Sequence, residues 1–343
     1  MDRHLIDSNS RIVDALDALN RLSGGVMTLL VTDGDDGPMA GTVTDGDIRR
    51  ALLRGVPLDA PVTHAMKRDF RYLREHDDNA VATLRELRAM GIRLVPVLDA
   101  SGHISRIIDT TITTTLLPVG AILMAGGKGE RLRPLTIDTP KPLLHVGGRP
   151  IIDHNISALA AAGVSDISVT VNYLAEKIEA HFSAPSAGVK VKCVREDRPL
   201  GTMGAAALCE LPPMGETIVM NSDLLTDISF EEMYLHHKSH KADITVAAIP
   251  YTVSVPYAIL ETDGELVRSL EEKPSYSYYA NAGIYIISNR LLRSLPTDHR
   301  TDATDLMADT IAAGGRVTYF PLAGTWIDIG SPADYERACR LMM

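Results

Sequence analysis

A glycine-rich turn near the middle of the chain is the segment best suited to chemistry. Three glycines fall within residues 126–129, directly after the apolar run 119–124, which predicts a buried strand. Glycines at such a turn let backbone N–H groups approach and face a phosphate chain. Arg131 and Lys141 follow, the first offering a planar fork of donors and the second a compact point charge. The residue types and their spacing therefore predict a phosphate-binding loop.

Two familiar phosphate motifs do not fit this turn. The dinucleotide fingerprint fails because Arg133 stands where its third glycine would lie, and Pro134 would interrupt a helix beginning there. The P-loop pattern fails because no Gly-Lys-Ser/Thr closes the loop. The turn must therefore belong to another class of phosphate site.

Residues 126–143 match a longer pattern at every fixed position. They resemble GGxGxRLxPLTxxxPKPL, the pattern of the nucleotidyltransferases that make nucleotide sugars from a sugar 1-phosphate and an NTP. The resemblance extends over about residues 119–340. It implies attack of a sugar-phosphate oxygen on the α-phosphorus of the NTP, with pyrophosphate leaving and with Mg²⁺ as the cofactor. Such a reaction needs no protein nucleophile and depends on positioning and charge neutralisation.

The resemblance assigns the cations and the metal ligands. Arg131 and Lys141 are expected to neutralise charge at the α-phosphate, as catalytic residues. Asp223 follows the predicted strand 216–220 in Asn-Ser-Asp-Leu-Leu, which resembles the family's N-G-D-x-L with serine in place of glycine. Asp328 lies in Trp-Ile-Asp-Ile-Gly-Ser-Pro, close to W-x-D-x-G-T-P. Since Mg²⁺ prefers oxygen ligands, these two carboxylates are the expected metal ligands.

A second motif is expected to lie over the nucleobase. Residues 196–204 resemble E-x-x-P-L-G-T-x-G, and Glu196 stands where a base-reading side chain is expected. A carboxylate only accepts hydrogen bonds, so it suits the paired N1–H and N2–H₂ donors of guanine, although the N3–H of uracil would also serve. This favours GTP and leaves UTP as the alternative. The complete set of predicted nucleotide-binding residues is Ala125, Gly126, Gly127, Gly129, Glu196, Gly201 and Thr202.

Two further segments resemble the sugar-phosphate site of the family. Glu272 and Lys273 belong to an E-K-P segment, and Asn281 and Gly283 belong to an N-A-G segment. The lysine would hold the phosphate, while the glutamate and the asparagine would read hydroxyl groups. Ala258 departs from the family's frequent Y-G-V, which leaves the identity of the sugar open.

The first third of the chain reads as two similar α/β units with a period of roughly 60 to 65 residues. Residues 41–49 resemble the GxxTxxDxxR end of a CBS motif, in which Thr44 and Asp47 would bind the ribose of an adenine nucleotide. In the second copy, Ser105 stands near the threonine position and Ile108 replaces the aspartate. We therefore expect at most one nucleotide site. A purely structural or dimerising pair is the alternative.

Two domains are expected from the length of the chain and from its patterning. The boundary is predicted between Thr110 and Pro118, giving a tandem CBS pair over 1–116 and a nucleotidyltransferase domain over 117–343. Strands and helices alternate in the second part, which favours an α/β, Rossmann-like fold with a mainly parallel sheet. Ligands of such sheets bind beyond the carboxyl ends of the strands.

Bulk composition limits the partners. A net charge of −10 and a pI near 5.5 argue against nucleic acid or an anionic membrane as a partner. The three cysteines have no metal-ligand spacing, and no apolar run approaches the ~20 residues of a membrane span. These features predict a cytoplasmic protein, and by analogy the CBS pair suggests a homo-dimer or higher homo-oligomer.

The rival function is a regulatory subunit whose CBS pair senses adenine nucleotide while the transferase fold binds without turnover. The presence of both cations and both acids favours an enzyme.

Overall fold

The computed structural model describes residues 2–34, 36–75, 77, 79–211 and 215–342. Its contacts divide the chain into two compact units, residues 1–116 and 117–343. No helix in the described ranges is long and apolar enough to cross a membrane.

The first unit contains two three-stranded sheets and three helices. One sheet has the order β1-β2-β3 and the other β4-β5-β6. Buried Val26, Leu30 and Leu94 form a small core that draws on both halves of the unit. The elements are β1 (Leu5–Asp7), α1 (Ile12–Arg21), β2 (Thr28–Thr32), β3 (Met39–Thr44), α2 (Asp45–Leu53), β4 (Leu73–Arg74), α3 (Ala80–Ala89), β5 (Leu94–Leu98) and β6 (Ile104–Asp109), with 3₁₀ turns at Asp2–His4 and Val62–His64.

The two hairpins of this unit have matching strand registers. Thr28 of β2 pairs with Thr44, and Leu94 of β5 pairs with Asp109, at the corresponding ends of the two hairpins. Asp109, and not Ser105, therefore corresponds to Thr44 in the second copy. Asp47 lies three residues after Thr44, so its counterpart is Ile112, three residues after Asp109. The predicted alignment of Ser105 and Ile108 was wrong because β6 continues to Asp109.

The second copy also lacks a counterpart of α2. Residues 110–119 form turns and extended chain. They include a run of threonines and isoleucine, whose β-branched side chains lose rotamer freedom in a helix. In the alignment given by the strand registers, Ile112 stands at the place of Asp47 and carries no carboxylate.

The second unit is built on a seven-stranded sheet of order β11-β10-β7-β12-β17-β14-β18. β17 is its one antiparallel strand, so the predicted mainly parallel α/β fold is confirmed. The strands are β7 (Gly120–Met124), β8 (His145–Val146), β9 (Arg149–Pro150), β10 (Ile167–Val171), β11 (Val191–Arg195), β12 (Glu216–Asn221), β13 (Leu224–Thr226), β14 (Ile244–Ser254), β15 (Ile259–Asp263), β16 (Leu266–Glu271), β17 (Ser275–Ser288), β18 (Val317–Pro321) and β19 (Trp326–Asp328).

The helices of this unit connect and cover the strands. The first of these helices begins at Ile151, because Gly147 and Gly148 have positive φ and Arg149–Pro150 pairs as a short strand. The helices are α4 (Ile151–Ala161), α5 (Ala175–His181), α6 (Gly201–Gly204), α7 (Phe230–Ser239), α8 (Asn289–Ser294), α9 (Ala303–Ala312) and α10 (Pro332–Leu341), with 3₁₀ turns at Glu130–Leu132, Lys141–Leu143 and Ala205–Leu208.

The outer halves of β14 and β17 extend beyond the sheet as a two-stranded ribbon, and the hairpin β15–β16 continues it. We call residues 250–280 the arm. Its side chains are almost all exposed, including Tyr251, Tyr257 and Tyr278 at 59, 74 and 58%. In the inner halves of the same strands, Ile244 and Ile286 are fully buried. The change from core to solvent thus occurs within single strands.

Candidate functional site

A cavity of about 770 Å³ opens at the carboxyl ends of β7, β11 and β12. This is the edge at which a parallel sheet of this type binds ligands. Most of the residues predicted for the nucleotide and the phosphates line it. The lining consists of residues 124–132, Lys141, Pro142, Thr170, Glu196, Pro199, Gly201, Thr202, Asn221, Ser222, Asp223, Arg300, Asp302 and Gly330.

The glycine-rich turn is closely packed where it leaves β7. An ideal Cβ placed on Gly126 would lie 2.6 Å from Oε1 of Glu196, so a side chain at this position would displace the carboxylate. Gly129 has φ of +61° and lies against Lys141 and Thr136, where a Cβ would approach each to 3.1 Å. The buried hydroxyl of Thr136 donates to the Gly129 carbonyl at 2.8 Å. The backbone of the turn is therefore held in place.

A cluster of opposite charges lies beside this turn. Lys141 Nζ donates to Asp223 Oδ2 and lies 3.7 Å from Asp328 Oδ1. Only 11% of the Lys141 side chain is exposed, so solvent screens these contacts weakly. Burial raises the pKa of the Asp328 carboxyl, and the charge of Asp223 adds to that rise, while Lys141 and Arg131 oppose it. Of the other cations of the loop, Lys128 is exposed and lines the cavity.

The two aspartates meet because a short antiparallel pair joins distant parts of the chain. Leu224 of β13 pairs with Asp328 of β19, and Ile329 N–H donates to the Asp223 carbonyl at 3.2 Å. Buried Ile327 and Ile329 pack into a core with Leu132 from the glycine-rich segment. The pairing of β13 with β19 thus places both carboxylates next to the phosphate-binding turn.

Asn155 is a buried polar residue that the sequence reasoning missed. Its side-chain amide donates to the carbonyls of Ser222 at 3.3 Å and Leu224 at 3.0 Å, which flank Asp223 on both sides. The Ser222 hydroxyl donates to the Met124 carbonyl at 2.7 Å, so the serine that replaces the expected glycine ties β12 to β7. Both contacts fix the backbone that carries Asp223. An asparagine within an apolar helical pattern was the only signal in the sequence.

The two carboxylates fit a divalent cation. Asp223 Oδ1 and Asp328 Oδ1 are buried without a hydrogen-bond partner in the described ranges. The ranges that the structure describes contain no cluster of three or more His, Cys, Asp or Glu side chains able to hold a metal. Mg²⁺ is commonly bound by one or two carboxylates together with substrate phosphates and water, so two carboxylate oxygens without a hydrogen-bond partner beside a glycine-rich turn match its needs.

Glu196, the predicted base-reading residue, lines the cavity. It is 7% exposed, and its Oε2 accepts a hydrogen bond from Leu200 N–H at 3.1 Å. Asn172 donates to its backbone carbonyl at 2.8 Å. Burial raises the pKa of the Glu196 carboxyl, and the bond from Leu200 opposes the rise. A buried carboxylate of this kind is a strong acceptor for a ligand that brings N–H donors.

The hydroxyl of Thr202 is engaged within the protein. It accepts from Ala303 N–H at 2.9 Å and lies 3.4 Å from Asp302 Oδ1, which also accepts the Thr202 N–H at 3.0 Å. Gly201 has φ of +85°, and a Cβ there would lie 2.6 Å from the Thr301 carbonyl. The glycine is thus required by the segment that packs on it. Arg300 and Asp302 line the cavity although no motif marked them.

The predicted sugar-phosphate residues do not line this cavity in the structure. Asn281 donates to the Tyr285 hydroxyl at 2.9 Å and accepts from Gly283 N–H at 2.9 Å. Gly283 has φ of +73° and packs on Asn221, a cavity residue. Glu272 and Lys273 lie on the arm and are exposed. The N-A-G segment therefore lies next to the cavity wall, whereas Glu272 and Lys273 of the E-K-P segment face solvent.

In the first unit, Thr44 and Asp47 form the N-terminal capping box of α2. The Thr44 hydroxyl lies 2.6 Å from Asp47 Oδ2 and accepts from Asp47 N–H at 3.3 Å. Asp47 is 4% exposed and also contacts Arg50 and Lys67 at 2.6 and 3.5 Å. These bonds give both residues a structural role as a helix cap. The prediction that they also bind a nucleotide stays a prediction.

Comparison with known proteins gives one matching family and related sequences. The family model described as nucleotidyl transferase matches residues 120–342. The chain is 34% identical over 227 residues to the mannose-1-phosphate guanylyltransferase catalytic subunit beta of Danio rerio, covering 63% of this chain and 62% of the relative. It is 33% identical over 233 residues to mannose-1-phosphate guanylyltransferase 1 of Arabidopsis thaliana, covering 65% and 64%. The chain thus spans less than two thirds of the length of these curated relatives.

Solved structures of the same fold are also similar to the chain. HddC from Yersinia pseudotuberculosis matches with a TM-score of 0.51 and 27% identity, covering 66% of this chain and 100% of that one. The same protein complexed with GMP-PN matches with a TM-score of 0.51 and 26% identity. A UDP-glucose pyrophosphorylase at 20% identity, with a TM-score of 0.50, shows the fold alone.

Proposed function

We propose that this chain, which belongs to the nucleotidyl transferase family, transfers a guanylyl group from GTP to a sugar 1-phosphate of the mannose class. The observation that carries the proposal is the charged cluster of Lys141, Asp223 and Asp328 beside a glycine-rich turn, in which Lys141 and Asp223 line the same cavity as the buried acceptor Glu196. The products would be a GDP-sugar and pyrophosphate. The guanylyltransferase relatives support the base and the sugar class.

The residues of the phosphate end have complementary roles in this proposal. Backbone N–H groups of Gly126, Gly127 and Gly129 hold the triphosphate, with Ala125 at the start of the turn. Arg131 and Lys141 neutralise charge at the α-phosphorus as the sugar-phosphate oxygen attacks it and the bond to pyrophosphate breaks. Asp223 and Asp328 would hold Mg²⁺, which when bound supplies further positive charge to the phosphates. Their unpartnered oxygens support this role.

Glu196 reads the base in this proposal. Its buried carboxylate accepts two hydrogen bonds from guanine N1–H and N2–H₂, whereas uracil offers only its N3–H. The guanylyltransferase relatives likewise favour GTP over UTP. Arg131, Lys141 and Asp223 line the cavity, and Asp328 lies 3.7 Å from Lys141. The presence of both cations and both acids close together speaks against a non-catalytic regulatory subunit.

The sugar site is proposed to form from the segments next to the cavity. Asn281 and Gly283 lie beside the cavity residue Asn221, and Glu272 and Lys273 would reach the sugar phosphate through movement of the arm. Lys273 would then contact the phosphate, and Glu272 the hydroxyl groups. The exposure of the arm supports such mobility, since few packing contacts hold it.

The direct test is release of pyrophosphate by purified full-length protein with Mg²⁺. Four NTPs would be crossed with mannose, glucose, hexosamine and heptose 1-phosphates. We expect the highest kcat/KM for GTP with mannose 1-phosphate. Higher turnover with UTP would reject the base assignment, and absence of pyrophosphate release from every pair would reject the enzyme. A much lower kcat/KM for mannose 1-phosphate than for another sugar 1-phosphate would reject only the proposed sugar class.

The first unit is proposed to be a CBS pair that binds an adenine nucleotide near Thr44 and Asp47 and contributes to a homo-dimer. The matching hairpin registers and the shared core support an internal repeat of this type. Calorimetric titration of the full chain with ATP, ADP and AMP would test binding, with Thr44→Ala as the variant and Thr44→Ser, which keeps the capping hydroxyl, as the control. Light scattering would test the dimer.

A further inference from the structure

A segment without any recognised motif forms part of the base end of the cavity. Arg300 and Asp302 line the cavity together with Glu196, Gly201 and Thr202. Arg300 packs directly on Gly201, since a Cβ there would lie 3.0 Å from Arg300 Cγ. The Arg300 side chain is 71% exposed toward solvent and cavity. A fixed positive charge thus borders the place where the base is proposed to bind.

Asp302 connects Arg300 to the segment that carries Gly201 and Thr202. Its Oδ2 accepts from Arg300 Nη2 at 2.9 Å, and its Oδ1 accepts from Thr202 N–H at 3.0 Å. The hydrogen bond from Thr202 lowers the pKa of the Asp302 carboxyl, which burial opposes and Arg300 supports, so the group stays ionised. Asp302 also begins α9 as its N-cap, so a helix start anchors the pair.

The guanidinium retains donors for a ligand. An arginine carries five N–H donors in a fixed fork, and the bond to Asp302 uses one nitrogen. A carboxylate partner on one edge of the fork fixes its plane. The remaining N–H groups can then meet two neighbouring acceptors on a flat ligand.

We infer that Arg300 is a base-specificity residue, which donates hydrogen bonds to O6 and N7 of the guanine while Glu196 accepts from N1–H and N2–H₂. This inference rests on the proposed function. Arginine paired with guanine O6 and N7 is the commonest specific contact to that base. Uracil offers a single acceptor, O4, on the corresponding edge, and adenine places an N6–H₂ donor where guanine has O6. Arg300 would thus make the site discriminate between GTP and UTP, which Glu196 alone does only weakly.

The test compares Arg300→Met with the wild type on GTP, 7-deaza-GTP and UTP. Methionine keeps the aliphatic packing against Gly201 and removes the donors. The control is Arg290→Met, because Arg290 pairs with Asp243 at 2.6 Å and is 74% exposed, closely matching the Arg300–Asp302 pair outside the cavity. Thermal unfolding of all three proteins would be recorded to separate folding from recognition.

We expect kcat/KM for GTP to fall about tenfold or more in Arg300→Met and to stay unchanged in Arg290→Met. The loss of kcat/KM caused by Arg300→Met should be several-fold smaller with 7-deaza-GTP, which has no N7 acceptor. The ratio of kcat/KM for GTP to that for UTP should also decrease. If Arg300→Met lowers kcat/KM equally for GTP and 7-deaza-GTP, or leaves the preference for GTP over UTP unchanged, the proposed role of Arg300 would be overturned. The proposed function would stand in that case. A wild-type protein that fails to use GTP would overturn the proposed function together with this inference.

Discussion

The phosphate end of the cavity and the arm differ sharply in how they are held. At the phosphate end, Thr136 bonds the Gly129 carbonyl, and Asn155 bonds both neighbours of Asp223. The arm is a ribbon exposed to solvent on both faces. Its two faces also differ, because Tyr251 and Tyr278 pair on one and Thr252 and Ser277 on the other. One region is built to keep its geometry, while the other is free to change it.

This difference matches what the two substrates demand in the proposed reaction. Charge neutralisation at phosphorus requires donors that are already in place, because reorganisation during the reaction would raise the barrier. A sugar 1-phosphate must enter and its product must leave, which a mobile segment permits. The comparison therefore predicts large losses from changes at the phosphate end and smaller, substrate-selective ones from the arm.

The largest effect is expected from Lys141→Met. Removing the ammonium leaves Asp223 and Asp328 without their cation and removes charge from the α-phosphate, so kcat/KM should fall about 10²- to 10³-fold. Lys238→Met is the matched control, because Lys238 pairs with Glu216 at 2.9 Å outside the cavity. Steady-state pyrophosphate release measures both. Comparable activity of the two variants would contradict the central place of Lys141.

Asn155→Ala should affect both stability and turnover. Loss of two buried hydrogen bonds lowers the free energy of unfolding by about 1–3 kcal/mol, and displacement of Asp223 lowers kcat about tenfold. Asn289→Ala is the control, because Asn289 is 1% exposed and its Oδ1 accepts from Thr217 at 2.6 Å, remote from the cavity. Denaturant unfolding measures the loss of stability in both variants, and steady-state kinetics measure the loss of kcat. A kcat loss of the same size in the control would mean that stability alone explains the effect.

Lys273→Ala tests the arm. We expect the KM for the sugar 1-phosphate to rise several-fold, while the KM for GTP and the melting temperature stay unchanged, because the side chain is exposed. Lys241→Ala is matched in two respects, since Lys241 is also exposed and has φ of +47° beside +45° for Lys273. An equal rise in the KM for GTP would show that the arm does not act on the sugar alone.

The smallest effect is expected from pH. Burial raises the pKa of the Glu196 carboxyl above its usual value of 4.5, so the group takes up a proton at a higher pH than an exposed glutamate. The protonated form loses acceptor capacity, so the KM for GTP should rise a few-fold as the pH falls from neutral towards the raised pKa of Glu196. Glu196→Gln does not titrate and gives the baseline that corrects for titration of GTP itself. Parallel pH profiles of the two proteins would reject the role of Glu196.

Much of the phosphate end could be predicted from the sequence because its residues follow parallel strands. β7 and β12 begin and end within one residue of their predicted bounds, and the turn after β7 carries its own glycine signal. Strands that run in the same direction bring their carboxyl ends to one edge. Placement of Glu196 and Asp223 in one cavity follows from that rule.

The residues that were missed act through contacts between distant positions. The bonds of Asn155 join residues 67 and 69 positions apart, and those of Asp302 to Thr202 join residues 100 positions apart. Local spacing carries no information on such pairs. The exposure of Glu272 and Lys273 was equally unpredictable, since motif order does not reveal whether a strand continues beyond its sheet.

The contact between Gly126 and Glu196 has a consequence for the evolution of substrate choice. Because a Cβ at Gly126 would lie 2.6 Å from the Glu196 carboxylate, the residue proposed to hold phosphate and the residue proposed to read the base share one small space. A lineage that changes its nucleobase at position 196 can accept only a side chain that still leaves room for the turn. New base preferences would then arise more readily at Arg300, which packs on Gly201 and pairs with Asp302 and not with the glycine-rich turn.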